Sequence, residues 1–257
     1  MSPREITNVA GAAGLLLVIL VLAETLRRHR LASSEATRKL VHALSGLQAV
    51  AFPWLFTSGW SVLLLTASYA ALMALTRETG ALRSVHGVRR RTAGGLYYPL
   101  AVALVFLLVG HRPEVYVPAM LVLALADPAA ALVGRSWGLT RYRLCGGKKS
   151  VEGSLAFLAC AFACVHLSLG LLTALTPLAL LLWSLHVAVL ATSLEALAPR
   201  GSDNLAIPLG CGLALLPVTT GPPPLAGLFF VPLAFVATVL VLGRRSAAGR
   251  PFLARRR

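Results

Sequence analysis

Charge is what this chain has least of. Asp, Glu, Lys and Arg make up 13% of its 257 residues, about half the share of an ordinary soluble domain. Acidic residues are the scarcest of these, nine in all. With 57% hydrophobic residues and a mean hydropathy of +0.78, the composition excludes soluble globular and disordered classes. Cysteine is also sparse. Cys145, Cys160, Cys164 and Cys211 show no metal-ligand spacing. Cys160 and Cys164 lie four apart in an apolar run, where a free thiol behaves as a small hydrophobe, so neither a disulfide nor a zinc site is expected. Internal repeats, low-complexity tracts and a soluble domain are missing too. The whole chain, 1–257, therefore reads as a single integral-membrane domain.

What is present is apolar sequence in long runs. A stretch of roughly 18 or more apolar residues reads as a membrane-spanning helix. Nine candidate spans follow, at 8–26, 42–57, 59–76, 95–110, 114–134, 153–174, 177–197, 205–220 and 224–243. The fold class expected is all-α and polytopic. The fourth and eighth spans are short, and Pro208, Gly210, Gly212 and Pro217 mark the eighth as broken or partly re-entrant. The first span is followed by a basic stop and more spans, unlike a cleaved signal peptide.

The net charge of +15 belongs to the membrane rather than to nucleic acid. Basic residues of polytopic proteins concentrate in cytoplasmic loops and meet anionic headgroups. Of the 24 Lys and Arg, all but Arg4 and Arg112 follow an odd-numbered span. That partition puts the N-terminus outside and the C-terminus in the cytoplasm. The Ala-, Leu- and Arg-rich composition suggests a bacterial plasma (inner) membrane.

The polar motifs share the cytoplasmic side. In "RKLVHALSG", 38–46, Arg38 and His42 are four apart and stack on one helix face; with Lys39 they serve either as a basic helix end reaching to headgroups or as part of a site. In "RRRTAGGLYYPL", 89–100, Gly94 and Gly95 allow backbone to approach a phosphate, or simply follow a positive stop. In "LALADPAAALVGRSWG", 123–138, Asp127 lies inside an apolar run, where a lone carboxylate needs protein, water or metal to face. Pro128 beside it cannot donate to the helix. In "GGKKSVEG", 146–153, the glycines, Lys148, Lys149 and Ser150 suggest a phosphate loop. It is no Walker A loop, because position 142 is tyrosine where the first glycine belongs. Ser150 also fits an N-cap with Glu152 in the first turn. In "SLEALAPRGSDNLAIPL", 193–209, Glu195 ends one span while Asp203 and Asn204 begin the next.

This succession resembles the CTP-dependent lipid-alcohol kinases, the family of dolichol kinase, phytol kinase and CTP-type diacylglycerol kinase. The matching pieces are "RKLVHALSG", "GGLYYPL", "ADPAAALVGRSWG", "KKSVEGS" and "EALAPRGSDNLAIPL", in family order from 38 to 209. Phosphatidate cytidylyltransferases share an Asp…Gly-Arg…Lys-Thr-x-Glu-Gly stretch, but their C-terminal Pro-Gly-His-Gly-Gly signature is missing here.

The resemblance implies transfer of the γ-phosphate of CTP to a lipid hydroxyl with a divalent metal, and a nucleotide role for Lys148, Lys149 and Ser150. Arg135, Gly134, Gly138 and Glu152 are further expected around the nucleotide. Asp127, Glu195 and Asp203 are expected to hold Mg²⁺, with Asp127 or Asp203 orienting or deprotonating the hydroxyl and Lys149 also at the reaction centre. Arg38, Lys39, His42, Gly94, Gly95 and Asn204 are expected to orient nucleotide or headgroup. The expected partners are a membrane lipid (an isoprenoid alcohol or diacylglycerol) and CTP or UTP. A cytidylyltransferase-like enzyme and a transporter are the competing classes, the latter weakened by the lack of repeats and by polar groups crowded on one face.

Overall fold

A computed structural model describes residues 2–87, 94–144, 147–199 and 201–221. The chain folds into apolar helices carrying one small hairpin. In order they are α1 (Pro3–Arg28), α2 (Ser34–Val50), the single turn α3 (Phe52–Leu55), α4 (Gly59–Glu78), the turn α5 (Arg83–His86), α6 (Gly94–Val109), α7 (Pro113–Leu121), a π-helical turn (Val122–Ala126), α8 (Asp127–Ser136), strands β1 (Arg141–Leu144) and β2 (Gly147–Ser150), α9 (Val151–Leu172), α10 (Pro177–Leu197) and α11 (Asp203–Leu215).

Five rods are long and apolar enough to cross a membrane: Pro3–Arg28, Gly59–Glu78, Pro113–Ser136, Val151–Leu172 and Pro177–Leu197. Helices α6 and α11 are apolar but shorter. Eight of the nine expected spans thus coincide with helical segments, while the ninth, 224–243, lies outside the described residues. The second span differs most. Its helix starts eight residues early, at Ser34, and breaks at Ala51, ahead of Pro53 in α3. The eighth is helical through Pro208 but ends at Leu215, ahead of Pro217.

Local chemistry sets the helix starts. Ser33, Ser58, Ser150 and Thr176 each accept a hydrogen bond from the first turn they precede, satisfying an amide that the helix leaves free. Ser2 and Glu5 form a reciprocal capping box on α1. Glu5 also accepts from the amides of Thr57 (3.2 Å) and Ser58 (2.8 Å), tying α1 to the start of α4.

Helix association follows the rules of lipid rather than water. Lipid chains are as apolar as leucine, so close packing, not hydrophobic burial, holds such helices together. The fully buried small residues Ala119, Ala124, Ala126, Ala161, Ala188 and Ala191 line the centre, where the Pro113–Ser136 rod packs against α9 and α9 against α10. Larger apolar residues such as Val18, Val21, Leu167, Leu171 and Leu178 face outward. One close approach is between α2 and the π-helical turn. A Cβ at Gly46 would stand 2.5 Å from Ala124 Cβ and 3.1 Å from Tyr98 Oη.

Replacing Gly46 by leucine should therefore push α2 away from that turn. Overpacking of this kind costs about 1–3 kcal/mol, expected as a fall of several degrees in the melting temperature of the detergent-solubilised protein. Gly11→Leu is the control, since nothing lies within 4 Å of a Cβ there; equal melting of the two variants would contradict the close approach.

Candidate active site

The site collects at one end of the bundle, where α6, α9 and α11 begin and where α8 and α10 end. Helix α2 supplies its first wall. Lys39 forms an ion pair with Asp127, and both side chains are about five-sixths buried, at 14% and 16% exposure. One turn further along α2, His42 Nε2 lies 2.9 Å from the Leu123 carbonyl. A carbonyl only accepts, so Nε2 carries the proton.

That carbonyl is free for a reason. Pro128 has no N–H to give to the residues four and five before it, Ala124 and Leu123. The backbone widens into the π-helical turn just ahead of Asp127, the kind of local departure that marks functional sites. His42 then takes up the Leu123 carbonyl, and its ring also stands edge-on to Tyr98 at 5.0 Å. The expected pairing of Arg38 with His42 gives way to a different division of labour. Lys39 and His42 face the Asp127 rod, while Arg38 grips Glu35 in two hydrogen bonds of 2.8 and 3.3 Å.

The opposite wall is the "GGKKSVEG" segment, expected as a loop and found as a hairpin. Strands β1 and β2 pair antiparallel with Tyr142 opposite Lys149 and Arg143 opposite Lys148. Lys149 Nζ lies 2.5 Å from Glu195 Oε1 and also meets the Glu195 carbonyl at the end of α10. The second carboxylate oxygen, Glu195 Oε2, is buried and has no hydrogen-bond partner among the described residues. Tyr142 shares a 2.6 Å hydrogen bond with Ser154. Burial pushes its phenol above the ordinary range, so it stays protonated at neutral pH.

Ser150 does cap α9, accepting from the Gly153 amide at 3.1 Å. Its hydroxyl is enclosed by glycines. A Cβ on Gly134 would stand 3.0 Å from Ser150 Oγ, one on Gly138 2.9 Å and one on Gly153 3.1 Å. Gly134 and Gly138 thus let the end of α8 close onto the start of α9. Glu152, expected near the nucleotide, accepts from the Thr140 amide at 3.0 Å and anchors the root of the hairpin.

Asp203 begins α11 between the two walls and accepts from the Asn204 amide at 3.1 Å. It stands within Coulombic reach of Asp127, Lys149 and Lys39, and Glu195 within reach of both aspartates. Asn204 is buried and donates to the Gly94 carbonyl at 3.2 Å, joining α11 to α6. Gly95 is exposed, with nothing within 4 Å of a Cβ there. The arginines at 89–91 lie outside the described residues. Arg135 is half exposed and reaches 3.9 Å from Glu35. Glu35 is the site residue that sequence reading missed, and the signal was there: an acid three and four positions before Arg38 and Lys39 in the first turn of a helix.

The structure therefore brings Lys39, Asp127, Lys149, Glu195 and Asp203 around one centre. Among the described residues no three Asp, Glu, His or Cys side chains converge tightly enough to cage a metal on their own. The donor chemistry nonetheless fits Mg²⁺, which takes one or two carboxylates and fills its shell with water and substrate phosphates. The partnerless Glu195 Oε2 is such a donor.

Over 210 residues the chain is 33% identical to the phytol kinase of Synechocystis sp., a match covering 80% of this chain and 88% of that protein. The chain belongs to the lipid-alcohol kinase family of the phytol kinases. No family model matches it, nor does any solved structure. For a lipid-alcohol kinase the arrangement is apt, because acidic and basic groups stand together at one end of a bundle of apolar helices.

Removing one partner of a buried ion pair typically costs about 3–5 kcal/mol, because it strands the other charge. Glu195→Gln should therefore lower the melting temperature by several degrees, and Lys149→Met should do likewise. The double variant should recover most of the loss. Strict additivity of the two single losses would show that Lys149 and Glu195 are not coupled.

Proposed function

We propose that this protein transfers the γ-phosphate of CTP to the hydroxyl of an isoprenoid alcohol at the cytoplasmic face of a bacterial plasma membrane. The observation that carries this reading is the pair of buried lysine–carboxylate bridges, Lys39–Asp127 and Lys149–Glu195, around Asp203 in a chain one-third identical to a phytol kinase.

The two bridges suit a metal nucleotide because both can be exchanged. A buried charge must keep a partner. With a magnesium nucleotide bound, the ammonium groups of Lys39 and Lys149 would have phosphate oxygens as partners and the carboxylates the cation, so nothing buried would be left bare. Asp127, Glu195 and Asp203 would hold Mg²⁺, one or two directly and the rest through water. When bound, Mg²⁺ neutralises charge on the transferred phosphoryl group. Lys148, Lys149 and Arg135 bind the triphosphate, with Arg38 beside them. Ser150 shapes the closure of α8 on α9 that positions them. The carboxylate of Asp127 or Asp203 accepts the hydroxyl proton as the oxygen attacks the γ-phosphorus, the bond from that phosphorus to the β,γ-bridging oxygen breaks, and CDP leaves. The acceptor arrives sideways from the bilayer, and the surrounding apolar helices keep water out.

The orientation rests on the distribution of basic residues along the sequence, where all Lys and Arg but Arg4 and Arg112 follow an odd-numbered expected span. CTP, rather than cytidylyl transfer, rests on the family motifs and on the missing Pro-Gly-His-Gly-Gly signature.

The test uses purified protein, Mg²⁺, γ-labelled CTP and a panel of phytol, farnesol, undecaprenol and diacylglycerol. Label is expected in an isoprenoid alcohol. Asp127→Asn and Lys149→Ala should each cut turnover by about a hundredfold or more, the usual scale for losing a group that stabilises transition-state charge, with the protein still inserted and helical. Near-normal turnover in either variant would remove that residue from the mechanism. Lipid marked by α-labelled CTP instead would make the enzyme a cytidylyltransferase. No transfer from folded protein would defeat the kinase reading.

A further inference from the structure

A second charged cluster lies outside the candidate active site, where the ends of α1 and α4 meet the turn α5. One carboxylate oxygen of Glu24 accepts from Arg27 Nη2 at 2.5 Å and from Arg28 Nε at 3.1 Å. The other accepts from Arg27 Nε at 3.3 Å and from the Ser84 amide at 3.0 Å. The carboxylate is thereby filled, but the arginines are not. Among the described residues Arg28 keeps both terminal nitrogens without a protein partner, and Arg27 keeps one.

Beside this cluster is a cavity of ≈ 390 Å³, walled by Glu24, Arg27 and Arg28 of α1 and by residues 80–83 of the loop from α4 to α5. That volume falls within the range of small-ligand sites. Arg28, Gly80, Ala81 and Arg83 are exposed, so the cavity opens at the surface. Three guanidinium groups, on Arg27, Arg28 and Arg83, face one carboxylate, which leaves an excess of two positive charges. The guanidinium fork matches the oxygens of a phosphate.

The loop that closes the cavity is held in place. Leu82 has φ +48°, a conformation that a bulky side chain rarely adopts. It packs against Ile19, Leu20 and Ala23 of α1 and Met73 of α4, and that contact fixes the loop against α1. The turn carrying Arg83 is also tied to α2, where Thr37 Oγ1 donates to the Ser84 carbonyl at 2.8 Å. Just below the basic rim the surface turns apolar. Leu22 of α1 and Leu75 of α4 are exposed at 46% and 59%. Basic residues at the ends of membrane helices lie at the level of the headgroups. A phosphate carried on an acyl-chain anchor meets both surfaces at once, whereas a soluble anion uses only the upper one.

We infer that this cavity, between the end of α1 and the loop from α4 to α5, binds the phosphate of an anionic phospholipid headgroup. Arg28 and Arg83 hold the phosphate oxygens, and Glu24 positions Arg27 beside them. The acyl chains run down past Leu22 and Leu75. The site shares no residue with the paired lysines and carboxylates, and it stands whatever reaction those groups carry out.

Two measurements on the purified full chain test it. In the first, detergent-solubilised protein is titrated with dioleoylphosphatidylglycerol or dioleoylphosphatidylcholine, and retained lipid is counted by native mass spectrometry. The wild type is expected to hold one phosphatidylglycerol in preference to phosphatidylcholine. The double variant Arg28→Gln, Arg83→Gln should weaken phosphatidylglycerol binding by about tenfold or more, the scale of lost hydrogen bonds to a charged group. Both side chains are exposed, so this variant should melt as the wild type does without lipid. Arg30→Gln with Arg77→Gln removes the same charge outside the cavity and should leave the affinity within about twofold, since exposed charges are screened. Equal weakening in the two double variants, or no preference for phosphatidylglycerol, would overturn the inference. Inorganic phosphate displacing the lipid and stabilising the wild type as well as the lipid does would assign the cavity to a soluble phosphate and overturn the lipid. In the second, phosphatidylglycerol with a diazirine in its acyl chain is cross-linked to the wild type. Adducts are expected on α1 and α4 near Leu22 and Leu75; adducts confined to other helices would overturn the site.

Discussion

A carboxylate carried into an apolar bundle has to be met by a cation, and the arrangement of this protein depends on how that is done. Asp127 sits within the Pro113–Ser136 rod, and Glu195 near the end of α10 is 7% exposed. Each is met by a lysine from a different part of the chain, Asp127 by Lys39 of α2 and Glu195 by Lys149 of β2. Buried bridges of this kind add little net stability against an apolar replacement, since desolvation offsets the attraction. Their effect is on specificity. Helices in lipid slide and rotate against one another at small cost when only van der Waals contact holds them. Two charge pairs that must close set α2, the Asp127 rod, the hairpin and α10 in one register.

The backbone is shaped to let those pairs form. Pro128 withdraws a donor just after Asp127, the helix widens by one residue ahead of it, and His42 takes the carbonyl left over. Gly46 lets α2 approach the widened turn closely enough for Lys39 and His42 to reach across. On the other side, Gly134, Gly138 and Gly153 enclose the Ser150 hydroxyl, and Glu152 pins Thr140. The hairpin is thereby fixed at both ends, and Lys149 is aimed at Glu195 rather than at solvent. Gly134 and Gly138, expected around the nucleotide, let α8 close onto the start of α9.

A kinase for a membrane alcohol has to bring a highly charged donor to a greasy acceptor without exposing either to bulk water. A bundle end that holds two ammonium groups and three carboxylates in near balance suits the first need: under the proposed reading, a metal nucleotide would replace one set of charge pairs with another. The apolar helices around that end suit the second.

Much of this was legible in the residues themselves. Long apolar runs dictate membrane helices because an unpaired peptide group in lipid is prohibitively costly, and the observed helices track the expected spans within a few residues over most of their lengths. The order of motifs from Arg38 to Leu209 pointed to the lipid-alcohol kinases, because the same few polar residues recur in the same succession. The hairpin was not legible. Its strands are four residues each, too short and too polar for a period-two pattern to stand out. Nor was the choice of Lys39 over Arg38 as the partner of Asp127. Lys39 and Asp127 are 88 residues apart, Lys149 and Glu195 46. Composition and periodicity determine which segments are helices and which end of each is charged, since those depend on neighbours along the chain. Which lysine meets which carboxylate, and where a cavity is left between two helix ends, depends on how the rods pack side by side, and only the tertiary structure decides that.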